Sequence, residues 1–221
     1  MKEEMVPFMV QSVFGLDFYK LNDVDYTCKI KDACVGNAYL DLARVIPYKE
    51  KTSKDEKYSL KKSVKDYLVT TPLCENVLSI IDEVYKIANK KYGNLFEEEF
   101  TFGMTQKWVN MTLKYFWLFD ICPIPTSNLH IPIDSYIIDA LWKESTTIEL
   151  PIKDSKYKRE KNYTKPSEYV IAWSNWDKNH YNKMWQSYSK YYSENLMNNY
   201  KSPIEWENQK WIDVSNERKN N

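Results

Sequence analysis

Apolar residues recur at every third or fourth position along much of the chain, a spacing that places them on one face of an α-helix. This pattern predicts helices over residues 31–45, 58–69 and 73–91. Their apolar faces consist of Cys34, Ala38, Leu42 and Val45, then Leu60, Val64 and Leu68, and finally Val77, Ile81, Val84 and Ala88. Thr71 and Pro72 are residue types that favour a helix start, so we expect them to begin the third helix.

Residues 103–119 form the most apolar of the predicted helices. Its apolar positions are Met104, Trp108, Met111, Tyr115 and Leu118. A narrow polar stripe runs along the other side and consists of Gly103, Lys107, Asn110 and Lys114. A loop rich in proline follows, and the next helix is predicted from about residue 134 to about residue 143.

The C-terminal part of the chain begins with a polar, lysine-rich connection over residues 145–168, which includes a possible short strand at 147–152. Two further helices follow, and their aromatic residues are Tyr181, Trp185, Tyr188 and Tyr192 in the first and Trp206 and Trp211 in the second. Only four glycines occur in 221 residues, which argues against the many tight turns of an all-β fold. We therefore predict an all-α fold with one helical domain over residues 1–221, divided into two lobes if 145–168 separates them.

The charge balance argues against a non-specific nucleic-acid binder but is compatible with a local basic face. Basic and acidic residues number 31 each, so no global field attracts a polyanion. Residues 153–165 nevertheless carry a local charge of +4. This stretch is either a solvated loop or a contact for a DNA backbone. The aromatic share of 15% has two readings as well, a thick core or surfaces on which bases stack.

The sequence gives little indication of a metal site, a disulfide framework or a membrane-spanning segment. Four cysteines are scattered without a CxxC pair, and the chain has two histidines, so neither a structural zinc site nor a disulfide framework is expected. We predict no cofactor. The first residues lack a signal-peptide pattern, and no long uncharged apolar run occurs. A cytoplasmic protein without a membrane partner is the expectation.

Common enzyme motifs are absent: the chain has no phosphate-binding loop, dinucleotide fingerprint, GxSxG elbow or HExxH. Two short segments remain as candidates for chemistry. The first begins at Gly103, continues through Thr105 and reaches Lys107 at the start of the apolar helix. The second is the run Pro132-Ile133-Asp134, which precedes the next predicted helix.

Together these segments resemble the catalytic region of the helix-hairpin-helix DNA glycosylases, especially the lyases that act on oxidised guanine. That family places a lysine after a Gly-x-Gly-x-Lys hairpin and an aspartate at the start of a later helix. Gly103 and Lys107 match the hairpin, Thr105 stands at its second glycine, and Asp134 matches the aspartate. The resemblance covers about 39 of the 221 residues.

The resemblance implies a DNA-repair glycosylase/lyase in which Lys107 attacks the sugar of a flipped nucleotide and Asp134 stabilises the developing positive charge. Both side chains should then face one cleft that is walled by aromatic residues. Candidates for contact with the base are Gln106, Trp108 and His130. Candidates for contact with the DNA backbone are Gly103, Thr105, Lys156, Lys158 and Arg159.

Each of these residues also has an ordinary structural interpretation. Lysine on a polar stripe is usually solvated, Asp134 is a suitable helix N-cap, and His130 suits a loop or the core. Two other functions therefore stay open. One is a non-catalytic helical module that binds a nucleotide or a protein, as in phage or host-defence proteins. The other is a structural module that oligomerises through its aromatic C-terminal helices.

Overall fold

The computed structural model describes residues 5–73, 76–154 and 165–220, and 71% of the chain is helical. The all-α prediction is confirmed. The helices are α1 (Met5–Phe14), α2 (Thr27–Leu42), α3 (Lys54–Thr70), α4 (Val77–Lys86), α5 (Phe102–Leu118), α6 (Ser135–Glu144), α7 (Lys178–Tyr191) and α8 (Pro203–Asn220). A π-helical turn extends α4 through Lys91, and another extends α7 through Leu196.

Strand structure within the described ranges is limited to isolated bridges, Tyr48 with Phe96 and Ile152 with Val170. The second bridge lies at the end of the stretch where a short strand was conceivable. Part of the connection packs into the core, since Ile148 is fully buried. Residues 155–164 of the connection lie outside the described residues.

Helix α4 begins later than its sequence suggested. Asn76 is the N-cap, and its side-chain oxygen accepts hydrogen bonds from the backbone N–H groups of Leu78 and Ser79. Thr71 instead ends α3, in an extended conformation with ψ of 134°. Proline disfavours helical backbone in the residue before it, so the Thr71–Pro72 pair terminates one helix rather than starting the next.

Helix α5 lies at the centre of the molecule, packed against α2, α4 and α7. Every residue from position 102 to position 113 is buried. The predicted polar stripe is therefore not a solvated face, since neighbouring elements cover it. At the C-terminal end of α5, Leu118 was assigned to the apolar face but is 59% exposed.

The aromatic faces of the C-terminal helices also point inward. Tyr181, Tyr188 and Trp206 are fully buried, whereas Trp211 is 39% exposed. Most of these rings therefore form the core and are not available for oligomerisation. No helix in the described part of the chain combines the length and apolar character required to cross a membrane.

Candidate functional site

Gln106 joins the loop before α6 to the central helix. Its side-chain Oε1 accepts a hydrogen bond from the backbone N–H of Ile133 at 3.1 Å, and its Nε2 donates to the Ile133 carbonyl at 3.0 Å. This reciprocal pair is buried and fixes the loop against α5. Asp134, the next residue, is thereby placed beside Lys107, the next residue on the helix.

Lys107 and Asp134 form a direct ion pair, with Nζ 2.9 Å from Oδ2. The two groups face one cleft, as the resemblance implied. The lysine side chain is 7% exposed and the aspartate side chain 16%. The reading of Lys107 as an ordinary solvated lysine is therefore wrong, because the aspartate and the cleft walls enclose it.

Asp134 has two roles, divided between its oxygens. Oδ1 caps α6 by accepting hydrogen bonds from the backbone N–H groups of Tyr136 at 2.9 Å and Ile137 at 3.0 Å. Oδ2 accepts from Lys107 and, at 3.3 Å, from the indole of Trp211. Burial alone raises the pKa of Asp134, but the Lys107 charge and these hydrogen bonds outweigh it and hold the pKa below its ordinary value. The carboxylate consequently stays ionised at neutral pH.

The ion pair borders an open cavity of about 350 Å³, a volume at the lower end of the range for small-molecule sites. Its walls combine aromatic and charged side chains. The aromatic ones are Tyr115, Tyr136, Trp173 and Trp211, and the charged ones are Asp41, Arg44, Lys107, Lys114, Asp134 and Glu207. Trp211 stacks on Tyr136, with ring centroids 5.0 Å apart. The cavity therefore offers flat apolar surface next to fixed charges.

A second ion pair lines the same cavity. Lys114, two turns beyond Lys107 on α5, donates a hydrogen bond to Glu207 Oε2 on α8. Glu207 is almost fully buried, and burial raises the pKa of its carboxyl group despite the opposing charge of Lys114. Nearby, the Tyr115 hydroxyl donates to Asp41 Oδ2 at 3.0 Å. Burial raises the pKa of Asp41 too, and its hydrogen bond with Tyr115 opposes that rise.

The residues predicted to contact a base lie elsewhere. Trp108 is fully buried and donates its indole N–H to the Val35 carbonyl at 3.2 Å, so it belongs to the core. Gln106 holds the loop before α6, as described above. His130 is 8% exposed and stacks on Trp185 with centroids 3.7 Å apart. All three therefore support the fold rather than line the cavity.

His130 belongs to a buried network on the inner side of α5. Its Nδ1 is 2.9 Å from the hydroxyl of Tyr181, which also lies 3.0 Å from Asn110 Nδ2. Burial lowers the pKa of His130 to about 3. The imidazole is therefore neutral across the physiological range and is held by its neighbours.

Two of the predicted backbone contacts, Gly103 and Thr105, are buried in the structure. Gly103 is buried against Trp173, and an added Cβ would lie 1.8 Å from the Trp173 carbonyl oxygen. Glycine is needed here for close packing of α5 against that segment, not for a DNA phosphate. Thr105 is buried and donates its hydroxyl to the Thr101 carbonyl at 2.9 Å. Lys156, Lys158 and Arg159 lie outside the described residues.

Several cavity residues had no sign in the sequence beyond their type. Glu207 and Trp211 come from α8, about a hundred positions after Lys107, and Asp41 comes from α2. The one signal that the sequence offered was residue type, since an aromatic ring and carboxylates are common in ligand-binding sites. Within the described residues no group of three or more His, Cys, Asp and Glu side chains is arranged to hold a metal ion.

The sequence matches no protein-family model and no curated protein, and no solved structure matches the fold. The cavity is therefore the feature of the structure that bears on function. The cavity contains an amine held against a carboxylate, a second ion pair, and indole and phenol rings at its walls.

Proposed function

We propose that this protein is a DNA glycosylase/lyase-like enzyme that removes a modified base, of the oxidised-purine class, with Lys107 as nucleophile. The observation that carries the proposal is the Lys107–Asp134 pair, 2.9 Å apart at the wall of an open cavity lined with aromatic rings. A nucleophilic lysine needs a neighbouring group that orients it, and a flipped base needs a flat surface on which to stack. The cavity supplies both.

The reaction starts from the ammonium form of Lys107. A proton passes from the ammonium group to the departing base, the amine nitrogen forms a bond to the anomeric carbon, and the bond from that carbon to the base breaks. The sugar ring then opens: its ring oxygen takes a proton from the bound nitrogen, which becomes an iminium ion. These steps require no cofactor, since every proton comes from Lys107 itself.

Asp134 acts as a fixed negative charge in this mechanism. Positive charge develops on the sugar as the bond to the base breaks, and a carboxylate beside it lowers the barrier. The lowered pKa of Asp134 keeps the group ionised for that purpose. Its hydrogen bonds to the α6 backbone keep the carboxylate in place when Lys107 moves toward the sugar.

Borohydride reduction tests the proposal, because it converts an iminium between lysine and sugar into a stable amine. Wild-type protein and a duplex with one abasic site should give a covalent adduct. Lys107→Gln should abolish the adduct. Lys143→Gln, which breaks the α6–α8 pair with Glu217 away from the cavity, should leave it unchanged. No adduct with the wild-type protein would contradict a lysine nucleophile.

A non-catalytic nucleotide-binding module is the second candidate. It is favoured by the burial of the Lys107 side chain and by the role of Asp134 as the α6 N-cap, since both also suit a purely structural pair. This alternative predicts that the cavity binds a nucleotide and that no adduct forms in the presence of borohydride.

A further inference from the structure

Exposed apolar side chains are concentrated on helix α1. Of the 13 exposed large hydrophobic residues in the described ranges, five lie on this ten-residue helix, namely Met5, Val6, Phe8, Met9 and Val13. Single exposed hydrophobic residues are ordinary on a protein surface, whereas a contiguous cluster of them marks a surface that meets a partner. The outward side of α1 is therefore a candidate interface.

The inner face of α1 is already packed against the core. Val10 and Phe14 are partly buried there. The Phe14 ring lies edge-on against Tyr115 and Phe119, with centroid distances of 5.1 Å and 4.9 Å. These contacts fix the orientation of α1, so its opposite face points away from the molecule.

The outward face is as apolar as the inner one. Met5, Met9 and Val13 are spaced four residues apart and form one ridge, with Phe8 beside it. The helix contains no charged residue and only two polar ones. A surface helix normally carries charged and polar side chains on its outward side. The sequence of α1 is therefore that of a helix which is covered on both sides.

We propose that a second copy of this chain covers the outward face, so that the α1 helices of two copies pack antiparallel across a two-fold axis near Met9. The ridge is symmetric about its middle residue. An axis at that point places Met9 against Met9 of the second copy, and Met5 against Val13. The face is thus complementary to itself, as a two-fold contact requires. Methionine side chains adapt their shape to such a contact readily.

The absence of charge favours a second copy over a lipid surface. Two copies of an uncharged helix meet without repulsion between like charges. Helices that lie in a lipid surface carry Lys and Arg along their polar face. Helix α1 has neither residue type, and Glu3 and Glu4 precede it in the sequence.

The size of the patch predicts a weak dimer. The five exposed residues of α1 have exposed fractions between 38% and 63%, which corresponds to roughly 400 Å² of apolar surface. A stable interface buries about 800 Å² on each partner. Tyr19, in a turn that contacts α1, is 83% exposed and adds to the patch. The dimer should therefore dissociate on dilution.

Sedimentation velocity of the full chain, over a series from about 5 µM to about 500 µM, tests the inference. The wild-type protein should shift from monomer to dimer. Met9→Glu places two carboxylates against each other at the axis and should weaken the association at least tenfold. Met197→Glu changes a methionine that is 58% exposed after α7, and it should leave the association unchanged. A wild-type protein that stays monomeric throughout, or an equal loss in both variants, would overturn the inference.

Oxidative cross-linking locates the interface even if Met9→Glu does not fold. Cys28 is an exposed thiol, so the cysteine variants also carry Cys28→Ser. Met9→Cys should give a disulfide-linked dimer, because the axis brings its two thiols within bonding reach. Met197→Cys should not. Failure of Met9→Cys to cross-link, or equal cross-linking of both variants, would contradict an axis near Met9.

Lipid binding and the reaction at Lys107 are separate outcomes. Wild-type protein that stays monomeric but co-sediments with phosphatidylcholine vesicles would assign the face to a membrane surface and remove the dimer. No residue of α1 lines the cavity. A dimer without a borohydride adduct therefore supports the interface alone, and an adduct from a protein that never dimerises supports the lysine nucleophile alone.

Discussion

Helix α5 carries polar side chains in two different environments. Gln106 and Asn110 face inward and bind backbone and side-chain partners in a buried network. Lys107 and Lys114 face a cavity and pair with the carboxylates of Asp134, the α6 N-cap, and of Glu207 on α8. Both sets are buried or nearly so, yet only the second borders space in which a ligand fits.

The difference shows why burial alone does not identify a functional residue. Amides in the inner network donate to buried backbone groups of the fold, the Ile131 and Ile133 carbonyls. Ammonium and carboxylate groups in the cavity carry full charges, and taking them out of water costs free energy unless they are paired. A charged pair that opens onto a cavity, rather than one sealed in the core, is the stronger sign of a binding or catalytic site.

Among the residues that face the cavity, Asp134 should show the largest effect when its carboxylate is removed. Asp134→Ala should destabilise the protein by about 3–5 kcal/mol, because it leaves Lys107 as an unpaired, buried charge. Asp134→Asn should cost less, since the amide oxygen still caps α6. Urea denaturation measures both. A loss below about 1 kcal/mol for Asp134→Ala would show that the pair contributes no more than an ordinary N-cap.

On the network side the largest effect should come from Gln106→Leu. The change preserves approximate volume but leaves the buried N–H and C=O groups of Ile133 without partners, at an expected cost of about 2–4 kcal/mol. It should also weaken borohydride trapping, since Asp134 follows directly on the released residue. Unchanged stability would mean that apolar contacts hold the loop. The inner network would then have no part in positioning Asp134.

The pH dependence of the free energy of unfolding reports on His130. Its pKa of about 3 in the folded state lies below the ordinary value, so between the two values the unfolded state binds the extra proton. Stability should therefore rise with pH over this window, by about 1.6 kcal/mol between pH 5 and pH 6.5. His130→Gln should remove that part of the slope. Identical slopes in the two proteins would contradict a buried neutral imidazole.

The smallest effect on folding is expected from Trp211, which is partly exposed. Trp211→Phe loses one long hydrogen bond to Asp134 and should change stability by less than about 1 kcal/mol. Trp211→Ala should weaken the binding of a nucleotide in the cavity by about 1–3 kcal/mol, the usual contribution of an aromatic ring stacked on a base. Equal affinities in the wild type and Trp211→Ala would remove this ring from the binding surface.

Helical periodicity predicted the parts of the fold in which apolar side chains decide the structure. Cys34, Leu60 and Ile81 lie in the core on the faces expected from spacing alone. The spacing did not reveal that the polar stripe of α5 is covered, because periodicity describes one helix and not its neighbours. Only tertiary packing determines that Lys107 and Asn110 are enclosed.

The candidate site was predictable to the same limited extent. Lys107 and Asp134 were paired through a family resemblance carried by two short segments, and the structure places them in contact. Glu207 and Trp211 were not predictable as cavity residues, because α8 reaches the cavity through long-range packing. Trp108 and His130 were assigned by residue type, and the type of a side chain does not determine the direction in which it points.

The central claim is that Lys107, and not another lysine of the cavity, is the nucleophile. The most direct measurement is peptide mapping by mass spectrometry of the wild-type protein after borohydride trapping on abasic DNA. We expect one modified residue, Lys107, because its amine is held against Asp134 at the cavity wall. Modification at Lys114 or at scattered surface lysines, or no adduct at all, would contradict it.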